Sequence, residues 1–306
     1  MPNPNLMKKN IILFWALFLS AISALAVPYP TYIVVSKDST QGDFTSIQAA
    51  VNSCKSFPDV RITIFLKKGI YHEKVVINSW NTKITLLGED KNSTIITWND
   101  AAGNVKNGTF WTYTLKVQGN DFRAENLTVE NTAGEVGQAV ALHVEADRVV
   151  IKNCNILGNQ DTLYAAGENA RQLYDSCYIE GTTDYIFGSG TAVFRDCIIH
   201  SKKDSYITAA STPEQVNYGF VFLHCTLTYA NDVSRVYLGR PWRQYARTVF
   251  IDCNMGDKVA PDGWKSWSNK DDLKTTFYAE YKCSGKSADR SQRVHWARFR
   301  RPGAGL

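Results

Sequence analysis

Proline is scarce in this chain of 306 residues, nine against twenty glycines, and only 21% of the residues carry charge. With 44% hydrophobic residues, these values exclude a disordered, collagenous or low-complexity protein. The chain has no C-x2-C or comparable ligand spacing, which argues against a zinc site. It also lacks a G-x-S-x-G elbow, so Ser189, between Gly188 and Gly190, has no nucleophile frame of the serine-esterase kind. Amphipathic helical patterns of the sort a βαβ unit needs are missing between the strand-like blocks.

Long apolar runs are absent too, except at the start. Lys8 and Lys9 precede an apolar stretch from Ile11 to Leu25 that ends in Ala24-Leu25-Ala26. A positive flank, a short apolar core and small residues at the A-x-A positions predict a secretory signal peptide over 1–26, cleaved after Ala26. The run is shorter than the ~20 residues of a comfortable membrane span. The expected product, residues 27–306, is secreted or periplasmic, with no membrane attachment after cleavage. Losing residues 1–26 takes away two lysines and no carboxylate, so the net charge falls from +5 to +3. That balance permits a polyanionic partner and is far from the basic stripes of a nucleic-acid binder.

What the chain has instead is a repeat. Val150-Ile-Lys-Asn-Cys154, Leu173-Tyr-Asp-Ser-Cys177, Val193-Phe-Arg-Asp-Cys197, Val221-Phe-Leu-His-Cys225 and Val249-Phe-Ile-Asp-Cys253 share one pattern, a β-rich run with a polar residue just before Cys. An earlier copy, Phe122-Arg-Ala-Glu-Asn126-Leu127, puts Leu127 in the Cys slot. The cysteine steps are 23, 20, 28 and 28 residues. One strand-like block per 20–30 residues predicts a solenoid, and the short turns between blocks favour a parallel β-helix. A helix over Phe44–Ser53, with Ile47, Ala50 and Val51 on one face, is placed to cap its open end. The tail from about Asp271 carries no repeat and is expected to pack along the outside.

The cysteines read first as small apolar side chains stacked in the interior. A rung spacing near 4.8 Å also lies within disulfide range, with Cys177–Cys197 the preferred pair because its step is shortest.

In a solenoid, residues one coil apart lie above one another. Asp161 and Asp184 each follow a ladder cysteine by seven positions, which predicts two carboxylates on one face, one rung apart. Neighbouring carboxylates push their pKa values apart, as an acid–base or nucleophile couple requires. Asp204 has the same offset from Cys197, so offset alone leaves a structural turn aspartate open. Gln138 and Gln160 lie about one coil apart, and Arg240 lies 56 residues after Asp184, two coils of 28.

Here the sequence resembles the pectin methylesterases (pectinesterases). The likeness rests on Gly69-Ile-Tyr-His-Glu73, Gln138-Ala-Val-Ala-Leu142, Gln160-Asp-Thr-Leu163, Asp184-Tyr-Ile-Phe-Gly188 and Leu238-Gly-Arg-Pro-Trp242, in the family's order. It continues through Val259-Ala-Pro-Asp-Gly-Trp264 and Tyr278-Ala-Glu-Tyr281, so that roughly Val34 to Trp296 is covered. Lys68 stands where a proline is common, Tyr185 replaces Phe, and the pro-region of many plant members is expected to be absent. The resemblance implies a right-handed parallel β-helix, all-β apart from the short capping helix, acting as a monomer without cofactor or metal. It implies hydrolysis of the methyl esters of homogalacturonan (pectin), with Asp184 as nucleophile and Asp161 as general acid and then base. It further implies Gln160 and Gln138 as oxyanion or substrate donors, and Arg240 holding Asp184 ionised and aimed. Thr109 and Trp242 would contact substrate together with Gln138 and Arg240. Tyr185 and Phe187 read as wall, and His143 as a satisfied structural histidine.

Other classes fit less well. A glycosidase on the same polymer needs a carboxylate pair around a glycosidic bond, and a calcium lyase needs clustered acidic ligands; the repeats offer neither pattern. A non-catalytic polysaccharide-binding solenoid would be expected to have lost one of Gln160, Asp161, Asp184 or Arg240. A β-helix esterase or thioesterase on a non-pectic substrate shares parts of these motifs and is the main rival.

Overall fold

The computed structural model describes residues 29–268 and 273–298. Residues 1–26, read above as a signal peptide, lie outside the described residues. The rest winds into three parallel sheets: sheet A of ten strands, sheets B and C of seven each. Each full coil supplies one strand to each sheet. Arg171–Asp175, Tyr178–Gly181 and Ile186–Gly188 make one coil, and Thr191–Arg195, Ile198–Ser201 and Tyr206–Ala210 the next. Their pairings are parallel and in register. This is the parallel β-helix that the repeat predicts. The strands run only three to five residues before the chain turns into the next sheet, and in Ile62–Leu66 the side chains of Ile62, Ile64 and Leu66 are buried, while Thr63 and Phe65 are not.

The polar residue before each cysteine now has a physical role. Asn126, Asn153, Ser176, Asp196, His224, Asp252 and Lys282 all adopt left-handed backbone, with φ between 48° and 56°. That single residue turns the chain from sheet A into sheet B. Asn and Asp tolerate the conformation better than most residues, and Asn153 gains a bond from its Nδ2 to Asn126 Oδ1 one coil below, 2.7 Å. Leu127 and the following cysteines then point inward. Three residues before the cysteines, Tyr174, Phe194, Phe222 and Phe250 stack with centroids 4.8, 4.5 and 4.3 Å apart. Face-to-face stacking inside the core is a direct result of in-register coils.

All seven cysteines are free thiols, so Cys177 and Cys197 are not joined. Their sulfurs point at backbone carbonyls instead: Cys177 Sγ at Ile151 O, 3.4 Å, and Cys197 Sγ at Arg195 O, 3.3 Å. The interior reading of the ladder is the one the structure shows.

The helix is present but shorter than expected. Ser46 caps helix α1 (Ile47–Ser53), whose Ile47, Ala50 and Val51 are buried over the first coils. Glu73, from the first family motif, completes the cap by accepting from Ser46 Oγ (2.7 Å) and from the N–H groups of Ile47 and Gln48 (3.1 Å each). Lys68 replaces a common proline without strain, and its N–H donates to Glu89 Oε2 at 2.9 Å.

The tail corrects the sequence reading. Phe277–Tyr281 is the tenth strand of sheet A, paired with Arg247–Ile251, and Lys282-Cys283 repeats the left-handed corner and the thiol. Beyond it, Arg293 and Glu280, each side chain 1% exposed, form an ion pair at 2.9 Å that also holds Trp264 Nε1. The last coil is closed by this buried pair. This copy departs from the Phe-x-x-Cys pattern, with Glu280 in the phenylalanine slot opposite Phe250 and Lys282 at the corner. Among the described residues no helix is long and apolar enough to cross a membrane.

Candidate active site

The groove lies along the edge where sheet B turns into sheet C. Asp161 and Asp184 each stand two residues before a sheet C strand, Leu163–Ala165 and Ile186–Gly188. Both have left-handed backbone, φ 64° and 48°. Each N–H donates to a carbonyl on the following coil, Asp161 to Thr183 O (3.1 Å) and Asp184 to Tyr206 O (2.8 Å). The two carboxyls therefore sit on adjacent rungs, nearly buried at 8% and 5% exposed.

Arg240 reaches Asp184 from two coils away. Register runs Phe187 to Ala209 to Arg240, so the side chain between them is only a methyl group. Across that small residue the guanidinium grips Asp184 at both ends, Nε to Oδ1 at 3.0 Å and Nη2 to Oδ2 at 2.6 Å. The guanidinium is itself held between two rings, 4.1 Å from the centroid of Tyr206 and 4.0 Å from that of Trp267.

This contact separates the two acids. Burial raises the pKa of Asp184, and the hydrogen-bonded Arg240 works against that rise. Asp161 is pushed well above the ordinary aspartate value, first by burial and then by the charge of Asp184, with only the distant pull of Arg240 opposing. Of the two, Asp161 is the carboxyl on which burial and the neighbouring charge favour a proton, and Asp184 the one that Arg240 favours as a carboxylate.

Gln138 and Gln160 are bridged across neighbouring coils, Ala139 N–H to Gln160 O at 3.0 Å. Neither side-chain amide carries a hydrogen bond among the described residues, which leaves both amides available to a ligand. Thr109 opens a one-turn 3-10 helix, Thr109–Trp111, at the groove wall. Trp242 is half-buried, with its ring 6.0 Å from Phe187. Every residue predicted for the site lines one cavity of about 250 Å³: Thr109, Gln138, Gln160, Asp161, Asp184, Arg240 and Trp242.

Four further residues line the cavity, Phe110, Ala209 and Trp267, which no sequence motif singles out, and Phe187, which the sequence reading places in the wall. Adjacency to Thr109 is the signal the sequence holds for Phe110, which the structure leaves 39% exposed. Trp267 follows Trp264 by three positions in a segment without repeat, and only the motif's aromatic density hinted at it. Tyr185 and Phe187 part company. Tyr185 is fully buried with its hydroxyl 2.9 Å from Ser201 Oγ, while Phe187 faces the groove. Asp204 lies outside the site, where its carboxylate accepts from Ser234 N (2.7 Å), Ser234 Oγ and Arg235 N (3.0 Å), so it is a turn anchor. His143 is structural but not satisfied. It is 1% exposed among Phe110, Tyr113 and Tyr164, its Nε2 lies 3.3 Å from Glu145 Oε1, and neither ring nitrogen makes a well-directed hydrogen bond. Burial holds its pKa below the usual histidine value.

Fold and site together define a class: parallel β-helix proteins with an arginine-clamped aspartate and a second, buried aspartate in a surface groove. The pectinesterase family profile matches residues 32–303. Pectinesterase 31 of Arabidopsis thaliana is 38% identical over 275 residues, spanning 86% of both chains. The solved pectin methylesterase from carrot superposes with a TM-score of 0.84 at 32% identity, covering 91% of this chain and 90% of that one. The pectin methylesterase of Aspergillus niger, in penultimately deglycosylated form, gives 0.80 at 30% identity, covering 93% of each. The chain belongs to the pectinesterase family.

Proposed function

We propose that the protein hydrolyses the methyl esters of pectin, releasing methanol and leaving free galacturonate carboxylates. The observation that carries this reading is the two-point Arg240–Asp184 contact beside the buried Asp161, whose pKa burial and the Asp184 charge raise. The ionised Asp184 attacks the ester carbonyl, and the C–OCH3 bond breaks as an acyl-enzyme anhydride forms. The proton on Asp161 goes to the departing methoxide, so methanol leaves. Asp161, now a carboxylate, takes a proton from water as its oxygen attacks the substrate-derived carbonyl. The anhydride opens, Asp184 regains its charge, and Asp161 its proton. The amides of Gln138 and Gln160 supply donors to the oxyanion of each tetrahedral step. Trp242, Phe187, Phe110 and Trp267 offer flat faces to sugar rings, with Thr109 at the groove wall.

Residues 1–26 serve in this reading as a secretory signal that delivers residues 27–306, a monomer, to the periplasm or the exterior. The flanking lysines, the short apolar core and the Ala-Leu-Ala end support it.

Methanol release from highly methylated pectin, with wild type beside Asp184→Ala, tests the function. Methanol from the wild type alone is expected. Methanol from both would overturn the assignment of the nucleophile, and none from either would overturn the substrate.

A further inference from the structure

The groove wall that carries Thr109 and Gln138 hangs on one buried amide. Asn131 ends the sheet B strand Thr128–Asn131 and is 4% exposed. Its Nδ2 donates to three carbonyls, Asp100 O at 2.9 Å, Thr112 O at 3.0 Å and Val140 O at 3.1 Å. An amide nitrogen has two hydrogens, so one of them is shared. Its Oδ1 accepts from Ala133 N at 3.0 Å. The three carbonyls belong to three irregular segments, none of them in a strand at that point.

Each segment delivers something to the groove. Thr112 closes the turn that starts at Thr109, bonding Thr109 O through its N–H (3.1 Å) and its hydroxyl (2.7 Å). The same hydroxyl oxygen accepts the Val140 N–H at 2.8 Å. Val140 lies two residues beyond Gln138, whose carbonyl accepts from Ala102 N at 2.8 Å. Asp100 holds Lys74 at 2.6 Å, and Lys74 also donates to Trp111 O at 2.6 Å. The 138–141 segment is also laddered to the next coil, through Ala139 N–H on Gln160 O and Ala141 N–H on Thr162 O. Only Asn131, however, ties it to the Asp100 and Thr112 segments through their carbonyls, and losing its donors leaves those buried carbonyls unpaired.

We propose that Asn131 is a positioning residue, setting where Thr109 and the Gln138 amide stand relative to the Asp161–Asp184 pair. The inference rests on the esterase reading above, in which Gln138 serves the transition state. Misplacement of such a donor by about an ångström costs on the order of 100-fold in rate. No sequence pattern marks it, since a lone asparagine after a β-rich run reads as a turn residue.

Asn131→Asp keeps the shape and removes the paired donors. Gln172→Glu is the matched control: Gln172 is equally buried, donates to Ala166 O (2.8 Å) and Val144 O (3.4 Å), and lies outside the groove. Methanol-release kinetics and melting temperature are measured for both, with hydrogen exchange over residues 108–114 and 138–141. Asn131→Asp is expected to lower kcat by about 10- to 100-fold with KM moved only a few-fold, and to speed exchange in both segments. Gln172→Glu is expected to lower the melting temperature comparably while kcat stays within about two-fold of wild type. Equal loss of kcat in both variants, or an unchanged kcat in Asn131→Asp, overturns the proposal. Should Asn131→Asp fail to fold, the smaller uncharged Asn131→Ser removes the same donors; a kcat loss there supports the proposal, and wild-type kcat overturns it. If the wild type itself releases no methanol, the esterase reading has failed. Exchange in the two segments then decides the positioning separately.

Discussion

Asp161 and Asp184 share a left-handed backbone on successive rungs, each bonded through its N–H to the coil that follows. The conformation is uncommon for a residue other than glycine, and here it occurs twice in a column that ends at Arg240. It aims both carboxyls out of the wall into the same groove. The third aspartate at the same sequence offset, Asp204, has neither positive φ nor a place in the groove.

Activity should therefore follow a bell-shaped pH profile with both limbs above the ordinary aspartate pKa of about 3.8. The acid limb reports protonation of the nucleophile and the alkaline limb loss of the acid's proton. Arg240→Gln removes the one influence that lowers Asp184, so its acid limb moves to higher pH as kcat falls. A limb that stays in place would show that the guanidinium does not tune the nucleophile.

Asp161→Asn should abolish turnover, by about 10²–10⁴-fold, and yet raise the melting temperature near neutrality. Folding raises the pKa of Asp161, so the native state holds that proton more tightly than the unfolded chain does. The wild type is then most stable below the unfolded pKa and loses stability as pH rises through the folded one. The asparagine variant escapes that loss, and its advantage should vanish on acidification. Melting curves across pH check both statements.

Asp204→Asn should retain nearly wild-type kcat and KM while loosening the turn at Ser234 and Arg235. Kinetics beside Asp184→Ala separate the two aspartates that the sequence offset could not.

Glu73→Gln weakens the cap of helix α1 by removing a charge that accepts from three donors. A cost of about 1–2 kcal/mol lowers the melting temperature by roughly 2–4 °C in a domain of this size, with kcat unchanged. A loss of kcat at low temperature would place Glu73 in the catalytic machinery after all.

Thiol titration of the native protein should find Cys283, the half-exposed end of the ladder, reacting first. The other six should react only on denaturation, because each is buried. Fast loss of two thiols without reagent would signal a disulfide instead.

Much of this architecture was legible because stacking forces the sequence to repeat. The Cys ladder, the polar corner before it and the paired aspartates all recur at coil spacing. The capping helix was visible through Ile47, Ala50 and Val51. Contacts between unlike residues were not. Nothing periodic announces that Trp267 and Tyr206 enclose Arg240, that Ala209 makes room for it, or that Asn131 gathers three carbonyls. The final coil was missed because Lys282 is an unexpected corner residue and the strand before it lacks the phenylalanine. Asp204 matched the repeat perfectly and means something else, since a shared offset fixes position along the coil but not the turn that follows.

The residues of the groove come from consecutive coils, with Gln138, Gln160 and Asp161, Asp184, Ala209 and Arg240 on five in succession. The chemistry thus occupies a fixed block within a stack whose layers share the left-handed corner from Asn126 to Lys282. Duplication or loss of a whole coil outside that block alters how much polymer the surface can follow while the reacting atoms keep their distances. Inside the block, an inserted coil would part Arg240 from Asp184 by one more rung and break the clamp. Coil gain and loss can therefore spare the clamp only beyond the layers that carry Thr109 and Trp267, which still wall the groove.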